Sequence, residues 1–536
     1  MMQWYLASGD WNYWWDERIR SLTWLPQVFD PATGQSHLLS LWLDYPFRLT
    51  VKILSTLGLS WFVIEKFLWL SLVAVAIYSS YRLARRILGG GWLTWLSSLI
   101  YTTNTYFLLL VGGGQLGVAW AYAFAPWVLL KFIQTIDDSK KLSWRQGIIN
   151  GLFFGLLIVF DLRFAYLALF MSGLYALFRR KLPVVSWAIS LLTAGFVHAF
   201  WIIPVIFAGG GMGRLSEEFT GTGMLRFLSV ADFSHALALL HPNWPENLFG
   251  KVYFLQPEFL IIPLLAFGAL LFKDAKTRFF VLLGLVGAFL AKGAQLPFGS
   301  LFEWMFMYVP GFVMFRDPTK FYLFIAIAYS ILIPFTLERI ANVRKLNSAI
   351  PLAVFILFWM FTLRAIFMGQ VSGNFHPTAL PQEYVELKNL LVTDSAPSRT
   401  LWIPQKENYA YASATHPLLA TGSAFVQDPI FMEKISDMGV GYVIVPADVN
   451  KRLFLTDYTF DPGQREALVS ALQETSLEQN TAFRDIAVFK NDQFTFKQNV
   501  PAGVREQQDL ANKGALVSAV SLLFFGVFLA ITRKKI

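Results

Sequence analysis

Eleven apolar runs of spanning or near-spanning length, each almost free of charge, constrain this chain more than any other feature. They lie near residues 61–80, 92–110, 115–134, 147–160, 164–178, 184–208, 258–272, 279–291, 319–337, 349–367 and 514–532. A run of about 20 apolar residues matches the hydrocarbon thickness of a bilayer. Composition agrees, since 55% of the 536 residues are hydrophobic and 15% are charged, against about 25% charged in ordinary soluble domains. A soluble enzyme, a disordered chain and a fibrous rod are thereby excluded. The fold class expected is mainly α, a polytopic helical membrane bundle of about eleven spans. Cysteine is absent, which removes disulfides and thiolate metal sites.

The net charge of +9 points to no nucleic acid once the basic residues are located. Arg82, Arg85 and Arg86 follow the first run, and Lys131, Lys140, Lys141 and Arg145 the third. Arg179, Arg180 and Lys181 follow the fifth, Lys273, Lys276 and Arg278 the seventh, and Arg339, Arg344 and Lys345 the ninth. Arg533, Lys534 and Lys535 close the chain. Basic clusters on alternate loops mark the cytoplasmic side. A multi-pass plasma-membrane protein with a cytoplasmic C-terminus is expected, with residues 1–60, 209–257, 292–318 and 369–513 on the other face. An odd number of spans also puts residue 1 outside. The apolar start at Met1 to Ala7 then reads as the end of a further span lying upstream.

Four domains are expected. Residues 1–60 form a first outer loop, 61–368 a helical bundle, 369–513 a small extracytoplasmic α/β domain, and 514–536 a last span with its basic tail. In the α/β domain, 381–392 and a segment starting at Asp461-Pro462 have helical spacing. Residues 400–403 and 442–445 read as strands, and the segments 483–489 and 494–496 as a hairpin about Asn491-Asp492. The first loop interleaves Trp4, Trp11, Trp14, Trp15 and Trp24 with acids, as an amphipathic helix on the outer leaflet would. Such a helix aligns Asp10, Tyr13, Trp14 and Glu17 on one face. An aromatic belt is the plainer reading of the tryptophans.

Charges near membrane depth are costly and therefore candidates for function. Asp10 follows Gly9 and is either a helix cap or an ionised general base. Asp16 and Glu17 are supporting acids, Asp16 with Arg20 at i+4 as a partner. Asp161 and Arg163 sit between two apolar runs, and either neutralise each other or leave Arg163 to bind an anion. In Phe315-Arg316-Asp317-Pro318-Thr319-Lys320-Phe321, Asp317 is placed to cap a helix with Pro318 in its first turn. Arg316 and Lys320 would flank that helix start, a favourable place for phosphate. His241, Asn243 and Trp244 lie in a Pro-rich outer loop suited to touching a sugar, or serving only as a turn. His198 reads as a satisfied helix histidine or a cavity wall.

These features together resemble the GT-C superfamily of integral-membrane glycosyltransferases, and within it the proteins related to mycobacterial arabinofuranosyltransferases. The resemblance rests on Gly9-Asp10 in the first outer loop, on Arg316 to Phe321 before a late span, and on the outer domain with its Met438 to Pro446 strand. It implies a GT-C-like fold and an enzyme of the hexosyl- or pentosyltransferase class. The sugar would pass from a polyprenyl-phosphate donor to a glycan, lipid or protein acceptor, on the extracytoplasmic face of the cell envelope. It implies Asp10 as general base and inversion at the sugar. Arg316, Lys320 and Arg163 would hold the donor phosphate, Asp161 would line the pocket, and all would meet at one outward-facing cavity. A divalent metal, Mg or Mn, could assist through the acids. A flippase or transporter of lipid-linked saccharide shares the spans and charges but is expected to carry an internal repeat, which is not seen. A non-catalytic scaffold needs no charges at depth.

Overall fold

The computed structural model describes residues 3–137, 144–208, 221–239, 257–369, 373–404, 406–447, 462–496 and 502–533. All eleven apolar runs are helical. Among the described residues, five helices are long and apolar enough to cross a membrane: Trp61–Leu88, Leu116–Asp137, Leu162–Arg179, Pro318–Arg344 and Val504–Thr532. A sixth span results if the bent pair Val184–Val197 and Ala199–Phe207 counts as one. Trp144–Phe160, Pro257–Phe272 and Ala349–Thr362 are shorter apolar helices. The run at 92–110 is cut at Asn104, whose side chain accepts the Phe107 N–H at 3.1 Å and so caps a second helix.

The chain divides into two compact units. The first comprises Met1–Lys66, Ile203–Gly210 and Gly373–Ala515. Its centre is a five-stranded sheet of β1 (Arg399–Trp402), β2 (Leu418–Ala420), β3 (Val440–Val445), β4 (Glu478–Gln479) and β5 (Ala487–Lys490). The order is β2-β1-β3-β5-β4, with β1 parallel to β2 and β3, and β5 antiparallel to β3 and β4. Side chains alternate between faces. Leu401, Val443, Val445 and Phe489 join Leu468 and Leu472 of the helix Pro462–Gln473 on one side. Trp402, Tyr442, Ile444 and Val488 join Leu387 and Leu391 of the helix Gln382–Thr393, and Trp15, on the other. The hairpin expected about Asn491 is not formed, and 494–496 is no strand. Asn491 instead donates to the Val440 carbonyl at 2.9 Å and ties off the end of β5.

The first outer loop also departs from expectation. Within the tryptophan-rich stretch Trp4–Trp24 only Asp16–Arg20 is helical, and residues 6–15 have no regular structure. The tryptophans explain why: Trp11 and Trp14 stack on Trp61 at 5.5 and 5.8 Å, and Trp15 is buried against the sheet. Alternate burial in two different clusters holds the backbone open where a helix would put one face against lipid.

The second unit comprises Phe67–Ile202, Gly211–Ser372 and Leu516–Ile536. Its central helix, Tyr322–Arg344, is buried from Tyr322 to Leu337. Trp144–Phe160 packs on Val184–Val197 through Gly147, Gly151 and Gly155, whose spacing lets helices approach closely. A Cβ on Gly151 would stand 2.5 Å from the Ser190 carbonyl oxygen and from Thr193 Cβ.

Candidate functional site

In the second unit, one residue separates the helices Trp144–Phe160 and Leu162–Arg179. That residue is Asp161, buried, capping the second helix by accepting the Arg163 N–H at 2.8 Å. The Arg163 guanidinium curls back onto the same carboxylate, Nη2 to Oδ2 at 2.6 Å and Nε to Oδ1 at 3.0 Å. Asp317 accepts the Thr319 N–H at 3.0 Å and its hydroxyl at 2.6 Å, with Pro318 in the first turn. Lys320, almost fully buried, places Nζ 2.6 Å from Asp317 Oδ2.

These two pairs form one cluster. Asp317 interacts electrostatically with Lys320 and with Arg163, and the buried Tyr106 lies in the field of Asp317, Arg163 and Asp161. Phe315, Phe321, Phe312 and Phe324 pack behind it with ring centroids 4.8–5.9 Å apart. Low-dielectric packing strengthens charge interactions. Arg163 and Lys320 therefore each already have a carboxylate, so the two pairs together are neutral. Arg316, half-buried, directly precedes Asp317 in the chain.

His198 ends the helix Val184–Val197, where the chain bends by 81°. Its Nδ1 accepts the Trp201 indole N–H at 2.8 Å, so Nε2 carries the proton and donates to the Gly155 carbonyl at 2.8 Å. Both nitrogens are occupied by the bend. His241, Asn243 and Trp244 lie outside the described residues.

Asp10 belongs to the first unit. It stands exposed in a turn whose Gly9 has φ +59°, a conformation that favours glycine. Asn408 clamps the turn, its Nδ2 donating to the Gly9 and Trp11 carbonyls at 3.1 and 2.6 Å. The face expected to align Asp10 with Tyr13, Trp14 and Glu17 does not exist, because that segment is not helical. Asp16 is exposed and makes no ion pair with Arg20 among the described residues, while Glu17 is held by Lys388 at 3.2 Å. Among the described residues, no three His, Asp or Glu side chains gather as a metal ion would require.

Two further groups escaped the sequence reading. Glu65 is fully buried at the start of the first span, accepting from the Leu6 N–H and the Trp11 indole, both at 3.1 Å, and from Lys66 at 2.6 Å. Its signal was there, as the one acid in the run 61–80. The other group is Asp30, bonded to Arg48 Nη2 at 2.8 Å with Arg18 3.6 Å away. Burial alone would raise the Asp30 carboxyl, but Arg48 and Arg18 hold it below its ordinary value. These residues are 12 to 30 positions apart, a separation no local motif exposes.

No family model matches the chain, and no curated protein is detectably similar to it. Its fold does recur in the solved cryo-EM structure of the arabinofuranosyltransferase AftD from mycobacteria, with TM-score 0.59 and 13% identity over 87% of this chain. A mutant of AftD matches with TM-score 0.51 and 14% identity over 83% of this chain. The chain spans 36% of the AftD chain in either structure. At such identity the likeness is one of fold, and in fold this chain resembles a membrane arabinofuranosyltransferase, as its motifs implied.

Proposed function

We propose that the chain is a membrane glycosyltransferase that moves a sugar from a polyprenyl-phosphate donor to a glycan, lipid or protein acceptor on the extracytoplasmic face. The observation that carries this reading is the double ion pair Asp161–Arg163 and Asp317–Lys320 beside Arg316, in a chain with the fold of a transferase. Cations held in place by carboxylates suit a phosphate, because they are already oriented and the carboxylates keep the empty cluster from carrying excess charge. In this scheme Arg316, Lys320 and Arg163 stabilise the phosphate as it leaves.

Asp10 acts as the base. Its carboxylate takes the proton of the acceptor hydroxyl, the oxygen bonds to the anomeric carbon, and the bond from that carbon to the phosphate oxygen breaks. The electron pair leaves on the phosphate, and one displacement inverts the sugar carbon. Replacement of Asp10 by Asn should lower transfer from a panel of polyprenyl-phosphate sugars by about a hundredfold or more, the usual worth of a general base, with folding intact. Full activity in that variant would remove Asp10 from the mechanism. Arg316→Ala should weaken donor binding, and unchanged donor affinity would discard the phosphate role.

A further inference from the structure

The first unit contains a cleft of about 130 Å³ between the helix Asp16–Arg20, the hairpin at Phe29–Ser36, the helix Leu41–Thr56 and residues 411–414. Arg18 and Arg48 both line it. Arg48 donates to Asp30 at 2.8 Å and to the Gln27 side-chain oxygen at 3.4 Å. Asp30 accepts from Arg48 at Oδ2 and from the Ala32 N–H at Oδ1, the latter at 2.9 Å, and His37 Nε2 stands 3.7 Å from Oδ2.

Arg18 is left over. Its nearest carboxylate oxygen is 3.6 Å away, outside hydrogen-bond distance, and among the described residues its guanidinium donates no hydrogen bond. The side chain lies over the Trp14 ring, 4.8 Å from the centroid, with only 27% of its surface exposed. A guanidinium has five N–H donors in a planar fork that matches a carboxylate or phosphate, and withdrawing it from water without partners is costly. Glu17 on the cleft wall does not compensate it, because Lys388 holds that acid. The field of Arg18 also reaches Lys406, which in turn feels Asp10.

We infer that this cleft binds an oxyanion, a carboxylate or phosphate carried on a saccharide, through the stacked Arg18, whose guanidinium has only a loose ion-pair contact with Asp30. Its volume suits one charged group with part of a sugar ring rather than a glycan chain. Naming the ligand as the acceptor rests on the proposed transferase activity, whereas the binding itself does not. The nearby acid Asp10 would then meet a sugar anchored by its charge.

The test is equilibrium dialysis of the full chain in lipid nanodiscs, with no donor present, against radiolabelled glucuronate, glucose 6-phosphate and glucose. At least one charged sugar should bind and glucose should not, and the one that binds distinguishes carboxylate from phosphate. Arg18→Gln should weaken that binding at least about tenfold, as expected for a hydrogen-bonded charge. Arg20→Gln, the same charge change at an exposed neighbour, should leave it unaltered. Arg18→Lys, which keeps charge and loses the fork, should bind with intermediate affinity and serves if the glutamine variant fails to fold. Binding of neither charged sugar, equal binding of glucose, or unchanged binding in Arg18→Gln would each overturn the inference. Because no sugar is transferred in the assay, its failure leaves the transferase proposal standing, and an inactive Asp10→Asn variant leaves this one standing.

Discussion

Asp161 does two jobs at one position, and they are separable. Its carboxylate caps a helix by accepting the Arg163 N–H and neutralises the Arg163 guanidinium. Asn keeps the cap and removes the charge, whereas Ala removes both. Asp161→Asn should destabilise the protein by about 1.5–3 kcal/mol, the range for a hydrogen bond to a charged group. Asp161→Ala should cost about 1 kcal/mol more, the usual worth of a cap. Thermal unfolding in detergent measures both, and equal losses would show that the cap contributes nothing. The charges at 161, 163, 317 and 320 were legible as exceptions in apolar sequence. Their local pairs could be guessed from spacing, but the approach of two segments about 150 residues apart followed only from the family resemblance, because only tertiary packing brings them together. The same limit hid Arg18, Arg48 and Asp30, which look like ordinary polar-loop residues in one dimension.

At the scale of elements, helix positions were readable and their packing was not. An apolar run fixes that a segment is buried or lipid-facing, but the same tryptophans suit a surface helix or an extended segment. The partners Trp61 and Asn408, distant in sequence, decide between them. Gly147, Gly151 and Gly155 are a case in which the spacing was open to view and its meaning lay in the neighbour. A methyl at Gly151 collides with the Ser190 carbonyl, which cannot yield without moving its helix, whereas at Gly155 the nearest atom is 3.6 Å away. Gly151→Ala should therefore cost about 1–3 kcal/mol through overpacking. Gly155→Ala should lie within about 0.5 kcal/mol of the parent, helped by alanine's better helix propensity. Similar unfolding temperatures for the two variants would refute close packing of Trp144–Phe160 on Val184–Val197.

For the whole molecule, the governing quantity is the side of the membrane on which each loop lies. Helices run equally well in either direction, so orientation comes from the basic loops alone, through the charge asymmetry that holds Lys and Arg on the cytoplasmic side. By that rule, six clusters on loops of one parity would put the sheet-bearing segment on the opposite face, together with Asp10 and the Arg18 cleft. A lipid-linked donor and a surface acceptor would both be within reach there. A chain without cysteine offers a clean assay. Gln464, exposed on the helix Pro462–Gln473, and Asn347, exposed between the helices Tyr322–Arg344 and Ala349–Thr362, are expected on opposite faces. A cysteine replacing Gln464 should react with a membrane-impermeant maleimide in intact cells, and one replacing Asn347 only after lysis. The reverse pattern would place the sheet in the cytoplasm. The basic clusters would then face outward, and a donor presented on the outer leaflet could no longer meet Asp10.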